Sequence, residues 1–441
     1  MPADLLYRGP VPEHLPGEPA RRGQPPWVVA LLLPLRAAFT AALLVASLPA
    51  WLLFGLTVLR WGRPPTTVRA TQVLRYLRLI WTVAPPDPGL PITTRGWLTL
   101  VVLQHVALTP WWGLCWQVDE ALYDLDAVDV RAPLFEISAG RSGSTQLARH
   151  LEDDPALAAP NLLQALFPYL WLWRLLPRTL GPVISEATVR RRVEGLFPPE
   201  LRDRHELDPF RSDTADGLLY TSHLFYLAPS LGPEVALEDF AFWSTAPHNA
   251  AAWEEDFPAL VDRLARKTLL TRPGRRFFLK GHFLRGAEPL ARRFPDGVFL
   301  SVVRDPLPRL QSAVNYMRAN PHDPILGPVP WAWWAEAIVS SEVAYGEAEQ
   351  AWFTADPGQT IRCVVPFRRF VDDLPGTMAQ IYRECFGVDT LPPHVPREHP
   401  PRVRHSYLLN RALPQVGIDP DALAVRVAPF RAWLEALEAE A

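Results

Sequence analysis

The chain has 441 residues, a net charge of -3 and 49% hydrophobic residues, enough for one large catalytic domain with an appendage or for two ordinary domains. Near-neutral charge, with no basic tail or glycine-rich arm, excludes a nucleic-acid partner. Cys115, Cys363 and Cys385 are too scattered for a disulfide framework or a zinc site, which fits a reducing compartment.

Residues 1–26 are rich in proline and read as an extended lead-in. Ala37–Leu59 follows as 23 uncharged residues, enough to cross a hydrocarbon core that needs roughly 20. It lies too far from the start, and is too long, for an ordinary signal peptide. Trp27–Leu35 is apolar as well, so a re-entrant hairpin bent at Arg36, with Pro34 and Pro49 as breakers, is a second expectation. Arg60, Arg63, Arg69, Arg75 and Arg78 come next with no acid before Asp87, which favours a cytoplasmic C-terminal side. Gly96–Trp116 is also uncharged, but Gln104, His105, Pro110 and the tryptophans Trp111, Trp112 and Trp116 suit an interfacial segment better than a second span. Residues 27–125 are thus expected to form a membrane-associated helical region, and residues 126–441 a catalytic domain. A buried helical hairpin is the competing expectation.

From Ala132 onward, short apolar runs alternate with helical stretches, the pattern of an α/β protein with a parallel sheet flanked by helices. The spacing predicts strands over Pro133–Ile137, Arg276–Lys280, Gly297–Val303 and Thr360–Val365. The insertion between the first two includes NLLQALFPYLWLWRLLPRTLG from Asn161, whose apolar stripe is expected to face protein. Ala132–Leu151, APLFEISAGRSGSTQLARHL, reads as strand, anion-cradling loop and helix. Small residues let the backbone approach a ligand, and the amides that open the helix point at negative charge. Arg141 adds a cation, while Ser142, Ser144 and Thr145 add hydroxyls. Walker spacing is absent, so ATP or GTP hydrolysis is not the first expectation. Alone, the segment reads equally well as a capped helix after a buried strand.

Lysine occurs only at Lys267 and Lys280 among 44 cationic residues, so a lysine that persists calls for its own reason. In FFLKGHF, Lys280 and His282 stand at the end of a strand, where open α/β sheets hold their ligands. Residues i and i+2 share a face of an extended chain. Histidine suits abstraction of a hydroxyl proton, and lysine stabilises charge on transferred or leaving oxygens. A surface cation beside a satisfied loop histidine is the plainer alternative. In VFLSVVRDPLPRLQSAVNYMR, Arg304 at a strand mouth and Ser312 in the following helix fit a second anion site. The plainer alternative there is an ion pair of Arg304 with Asp305.

Together these three segments resemble the sulfotransferases that use 3′-phosphoadenosine 5′-phosphosulfate (PAPS). Arg141-Ser142-Gly143-Ser144-Thr145 is similar to that family's 5′-phosphosulfate loop, Lys280-Gly281-His282 to its K-x-H segment, and Arg304 with Ser312 to its R-(x7)-S pattern for the 3′-phosphate. Val365–Ile381 resembles the strand-to-helix element often written Y-E-D-L, with Phe367 and Arg368 departing from the tyrosine and acid. The resemblance runs in blocks from about Ala132 to Leu409 and implies a P-loop-like sulfotransferase fold. It also implies PAPS as co-substrate, no metal, and a hydroxyl acceptor that is a small molecule, carbohydrate or lipid. His282 would be the base, with Lys280 and Arg141 on the moving charge; Glu206, Asp213, Glu238 and Asp239 are alternative bases. Arg141 stands where many cytosolic-type members carry lysine and, as arginine, holds oxyanions without releasing a proton. The arginine bias suggests GC-rich coding and a bacterial-type member. A nucleotide-dependent phosphotransferase and a membrane-anchored inactive scaffold are the rival expectations.

Overall fold

β-Branched and aromatic runs build the sheet at the centre of the protein. The computed structural model describes residues 26–84, 90–195, 199–204, 208–212, 222–240, 246–319, 331–356, 358–398 and 411–440. Most of the proline-rich lead-in, the acids Glu206 and Asp213, and Leu409 lie outside these residues. Strands β1 (Leu134–Glu136), β2 (Leu157–Ala158), β3 (Arg276–Lys280), β4 (Val298–Val303) and β5 (Ile361–Pro366) form a parallel sheet in the order β2-β3-β1-β4-β5. The chain leaves central β1 to β3 on one side and to β4 on the other, creating the switch point at which open sheets place ligands. Glu136 is level with both Lys280 and Leu300, so the carboxyl ends of three strands reach the same height. The short edge strand β2, flanked by Asp154 and Pro160, carries too few residues for a readable alternation.

Alternation sorts the two cores. Phe135, Phe277, Leu279 and Phe299 pack on one face, with Phe257, Val261 and Leu264. Leu134, Phe278, Val298 and Val302 pack on the other, with Leu147 and Leu151 of the loop's own helix. Near-continuous burial of β3 and β4 is what a parallel sheet covered on both faces requires.

Three helices precede the sheet: α1 (Pro26–Trp61), α2 (Ala70–Thr82) and α3 (Ile92–Leu122). Helix α1 runs unbroken through Pro34 and Pro49, so the chain does not bend back at Arg36. Both α1 and α3 are long and apolar enough to cross a membrane. Helix α3 packs on the body at both ends. Leu98 and Val102 join Tyr76 and Ile80 of α2 against Leu224, Leu227 and Leu231 of the insertion, and Trp116 meets Tyr169 and Leu260.

Lys267 explains its own persistence here. Fully buried, its Nζ lies 2.9 Å from Asp119 of α3, donates to the Pro168 carbonyl at 2.7 Å, and sits 3.6 Å from the centre of the Trp116 ring. Burial pulls its pKa down to about 8 despite the carboxylate. Asp119 also accepts from the amides of Leu170 and Trp171, the first residues of a helix over Leu170–Thr179. Only the start of that helix faces protein as expected; Leu175 and Leu176 are exposed.

Candidate active site

The loop from Ile137 to Gly143 joins β1 to helix α4 (Ser144–Glu152). Arg141 and Gly143 are both left-handed, at φ +66° and +87°, a conformation that costs arginine of order 1 kcal/mol and glycine almost nothing. No side chain caps α4, so its opening amides remain available to an anion. The Ser142 hydroxyl is fully buried in the turn without a hydrogen-bond partner, and leaving such a group unsatisfied costs on the order of 1–3 kcal/mol. A Cβ on Gly143 would lie 2.9 Å from the Phe367 ring. Glycine is therefore required there by space as well as by φ.

The other site residues gather round this loop. Lys280, wholly buried, donates to the Thr145 hydroxyl at 3.0 Å. His282 lies past the end of β3, in a bend, so strand alternation does not orient it. A hydrogen bond does: its Nδ1 is 2.8 Å from the Ser138 carbonyl. That acceptor requires a proton on Nδ1, which in the neutral ring puts the lone pair on Nε2, the nitrogen on the side of Gly140. Arg304 donates to the Arg141 carbonyl at 2.7 Å and stacks its guanidinium 4.4 Å from the centre of Phe367. Arg141 reaches Ser312 through Nε at 3.0 Å and the Arg204 carbonyl at 3.0 Å. Asp305, the acid proposed to neutralise Arg304, caps the Leu307 amide and pairs with Arg431. All nine sequence-predicted residues, Arg141 to Thr145, Lys280, His282, Arg304 and Ser312, thus belong to one constellation at the carboxyl end of the sheet.

Of the alternative carboxylates, the two among the described residues, Glu238 and Asp239, are employed elsewhere. Asp239 accepts from Tyr76 at 2.7 Å, His248 at 2.7 Å and Asn249 at 3.0 Å, and pairs with Arg75, which also holds Glu238 at 3.1 Å. Burial alone would raise the Asp239 pKa, but these partners, His248 foremost, hold it below the usual carboxylate range. Glu238, Asp239 and His248 come close enough to share a metal ion, yet the Arg75 guanidinium already supplies their positive charge.

Two groups escaped the sequence reading. Glu349, on the helix Trp331–Thr354, is fully buried beneath the loop, accepting from Ser301 at 2.6 Å and from the Ala139 amide, with Arg309 3.5 Å away. Burial pushes its pKa up to about 7. Four residues earlier, Tyr345 donates to the Ile137 carbonyl at 2.5 Å. The i, i+4 pair of a tyrosine and an acid on a largely apolar helix was the available signal.

A family model described as "Sulfotransferase family" matches residues 133–390. Among solved structures, the chain is similar to sulfotransferase STF1 from Mycobacterium tuberculosis H37Rv, at 17% identity and TM-score 0.57, covering 86% of this chain and 97% of that one. It is likewise similar to sulfotransferase STF9 from Mycobacterium avium, at 16% identity and TM-score 0.58, covering 86% and 94%. These likenesses establish the fold. Coverage of 86% exceeds what residues 126–441 alone supply, so the shared fold extends into the N-terminal helices. No curated protein matches the chain significantly.

Proposed function

The chain belongs to the sulfotransferase family, and from that premise we propose that it moves a sulfuryl group from PAPS to a hydroxyl, with His282 as the base. PAPS supplies the activated sulfur. The observation that supports the reading is the Nδ1–Ser138 hydrogen bond, which in the neutral imidazole makes Nε2, on the side of Gly140, the basic nitrogen. The acceptor oxygen forms a bond to sulfur as the bond from sulfur to the bridging phosphate oxygen breaks. The hydroxyl proton passes to Nε2, and the electron pair leaves with the nucleotide phosphate. Lys280 and Arg141 hold the charge that develops on the transferred and leaving oxygens. The α4 amides with Ser142, Ser144 and Thr145 bind the 5′-phosphosulfate, and Arg304 with Ser312 the 3′-phosphate. As with phosphoryl transfer, positioning and electrostatics supply most of the catalysis.

The buried, unpartnered Ser142 hydroxyl and uncapped α4 amides support an anion in the loop. An acceptor held at a membrane, a glycolipid or polyprenyl-type lipid, fits the apolar N-terminal helices, and the arginines after α1 favour a cytoplasmic catalytic domain. In the decisive experiment, His282→Ala should bind the desulfonated nucleotide with near-parental affinity yet transfer no labelled sulfate to a membrane extract. Undiminished transfer would remove His282 from the reaction. Stabilisation by ATP with none by PAPS would favour a phosphotransferase, and stabilisation by neither a scaffold.

A further inference from the structure

Helix α1 is inside out. Its inward seam recurs every three or four residues and carries buried Thr40 and Ser47 and half-buried Arg36 and Thr57, beside Val29, Leu33, Leu43, Leu44, Ala50, Phe54 and Val58. Thr40 and Ser47 are 1% exposed. The stripe on the far side holds Leu31, Leu35, Val45, Leu52, Leu56 and Leu59, each 65–84% exposed. A helix in water buries apolar residues and exposes polar ones. Here the polar residues face protein, so the outer surroundings are more apolar than the protein itself. That identifies the occupant as lipid hydrocarbon. A second copy would bury one further seam, leaving the rest of this apolar circumference uncovered.

The polar seam meets α3, and the two helices run parallel. Leu33 packs over Gly96, Arg36 donates to Gln104 at 2.7 Å, and Gln104 donates to Thr40 at 2.9 Å. Further along, the Phe54 ring fills the space that a side chain at Gly113 would need, and Gln117 donates to the Gly62 carbonyl at 2.8 Å. Contact therefore persists along about 30 Å of α3. On its opposite side α3 is held by the body at both ends, through Leu98 and Val102 and through Asp119. If α1 stood upright in a bilayer, the body beside α3 would be drawn to hydrocarbon depth. That body includes the Arg75–Asp239 and Arg63–Asp256 ion pairs. Charges at that depth are costly.

We infer that α1 lies along the bilayer plane, immersed in one leaflet, with α3 at headgroup level and the body in water. The chain would then be seated on one face of the membrane without crossing it. Exposed Trp51, Trp61 and Trp111 near the seam and its end suit such an interface.

The test uses the full chain in phosphatidylethanolamine and phosphatidylglycerol vesicles. Leu35→Cys, Val45→Cys and Leu56→Cys, each with Cys115→Ser, receive a nitroxide whose depth is read by oxygen against a water-soluble nickel relaxant. The expected result is one common depth within a leaflet. A profile with Val45 at the midplane, and Leu35 and Leu56 near opposite surfaces, would establish a crossing and overturn the inference. Labels shielded from lipid in a dimer would overturn it too. Should the cysteine variants misfold, protease digestion of sealed membranes bearing tags at both chain ends decides. Both tags and a protease site inserted between α2 and α3 all on one side support the in-plane seat, and any two of them on opposite sides refute it.

Discussion

At Gly143 two constraints coincide, a left-handed φ and an aromatic ring that leaves no room for a Cβ. Gly143→Ala is expected to distort the loop and weaken binding of the desulfonated nucleotide at least tenfold by calorimetry, while thermal stability falls by about 1–3 kcal/mol. Parental affinity would show that the loop's shape is not what binds. Arg304→Ala should act differently, weakening nucleotide binding before turnover at saturation; equal affinity in variant and parent would contradict its phosphate role. That these candidate residues meet was legible because they lie in three contiguous motifs. The partners of Phe367 were not: one ring touching both Gly143 and Arg304 joins segments more than 60 residues apart, a contact set by packing rather than by spacing. The two lysines teach the same lesson. Scarcity marked both and both are buried, so only their partners tell Lys280, facing the loop hydroxyl, from Lys267, sealed against Asp119.

Among the elements, the strands were the most readable, because uninterrupted apolar runs in a sheet covered on both faces leave little ambiguity beyond a residue at each end. The helix Trp331–Thr354, largely apolar, supports the loop through Tyr345 and Glu349. Burial raises the Glu349 pKa from 4.5 to about 7, so the folded state holds this proton more tightly than the unfolded chain. Its contribution to stability is fully present below pH 4.5 and is lost as the pH rises through 7. Glutamine stays neutral throughout. The difference in unfolding free energy between Glu349→Gln and the parent should therefore shift in the variant's favour from pH 4.5 to pH 8, by up to about 3 kcal/mol. A difference that does not move with pH would mean that Arg309 keeps the carboxylate charged at no cost.

On the scale of the whole molecule, composition separated an apolar N-terminal region from the α/β body, but it could not divide α1 from α2 and α3. A helix sandwiched between an apolar neighbour and a protein core needs the same residues as one that spans a bilayer. Contacts make the division. Helix α2 is bound through Arg75 and Tyr76, and α3 through Asp119, whereas α1 meets chiefly α3. A chain beginning after Trp61 is expected to fold and bind nucleotide while losing vesicle flotation; a chain beginning at residue 126 should not fold, as judged by circular dichroism and proteolysis. A well-folded product from the shorter chain would refute this partition. Lys267→Met should cost about 3–5 kcal/mol in denaturant unfolding, because Asp119 is left charged and buried. A loss under 1 kcal/mol would show that solvent reaches the carboxylate.

The Asp119–Lys267 pair also imposes an order on synthesis. When Asp119 leaves the ribosome, its partner is still about 150 residues away, on the order of ten seconds at usual elongation rates. Throughout that interval α1 and α3 are made, but the body that will grip α3 is not. The nascent chain thus offers its most apolar helix to whatever surface is near before any competing core exists, and the order of translation itself favours delivery to a membrane over aggregation with the finished domain.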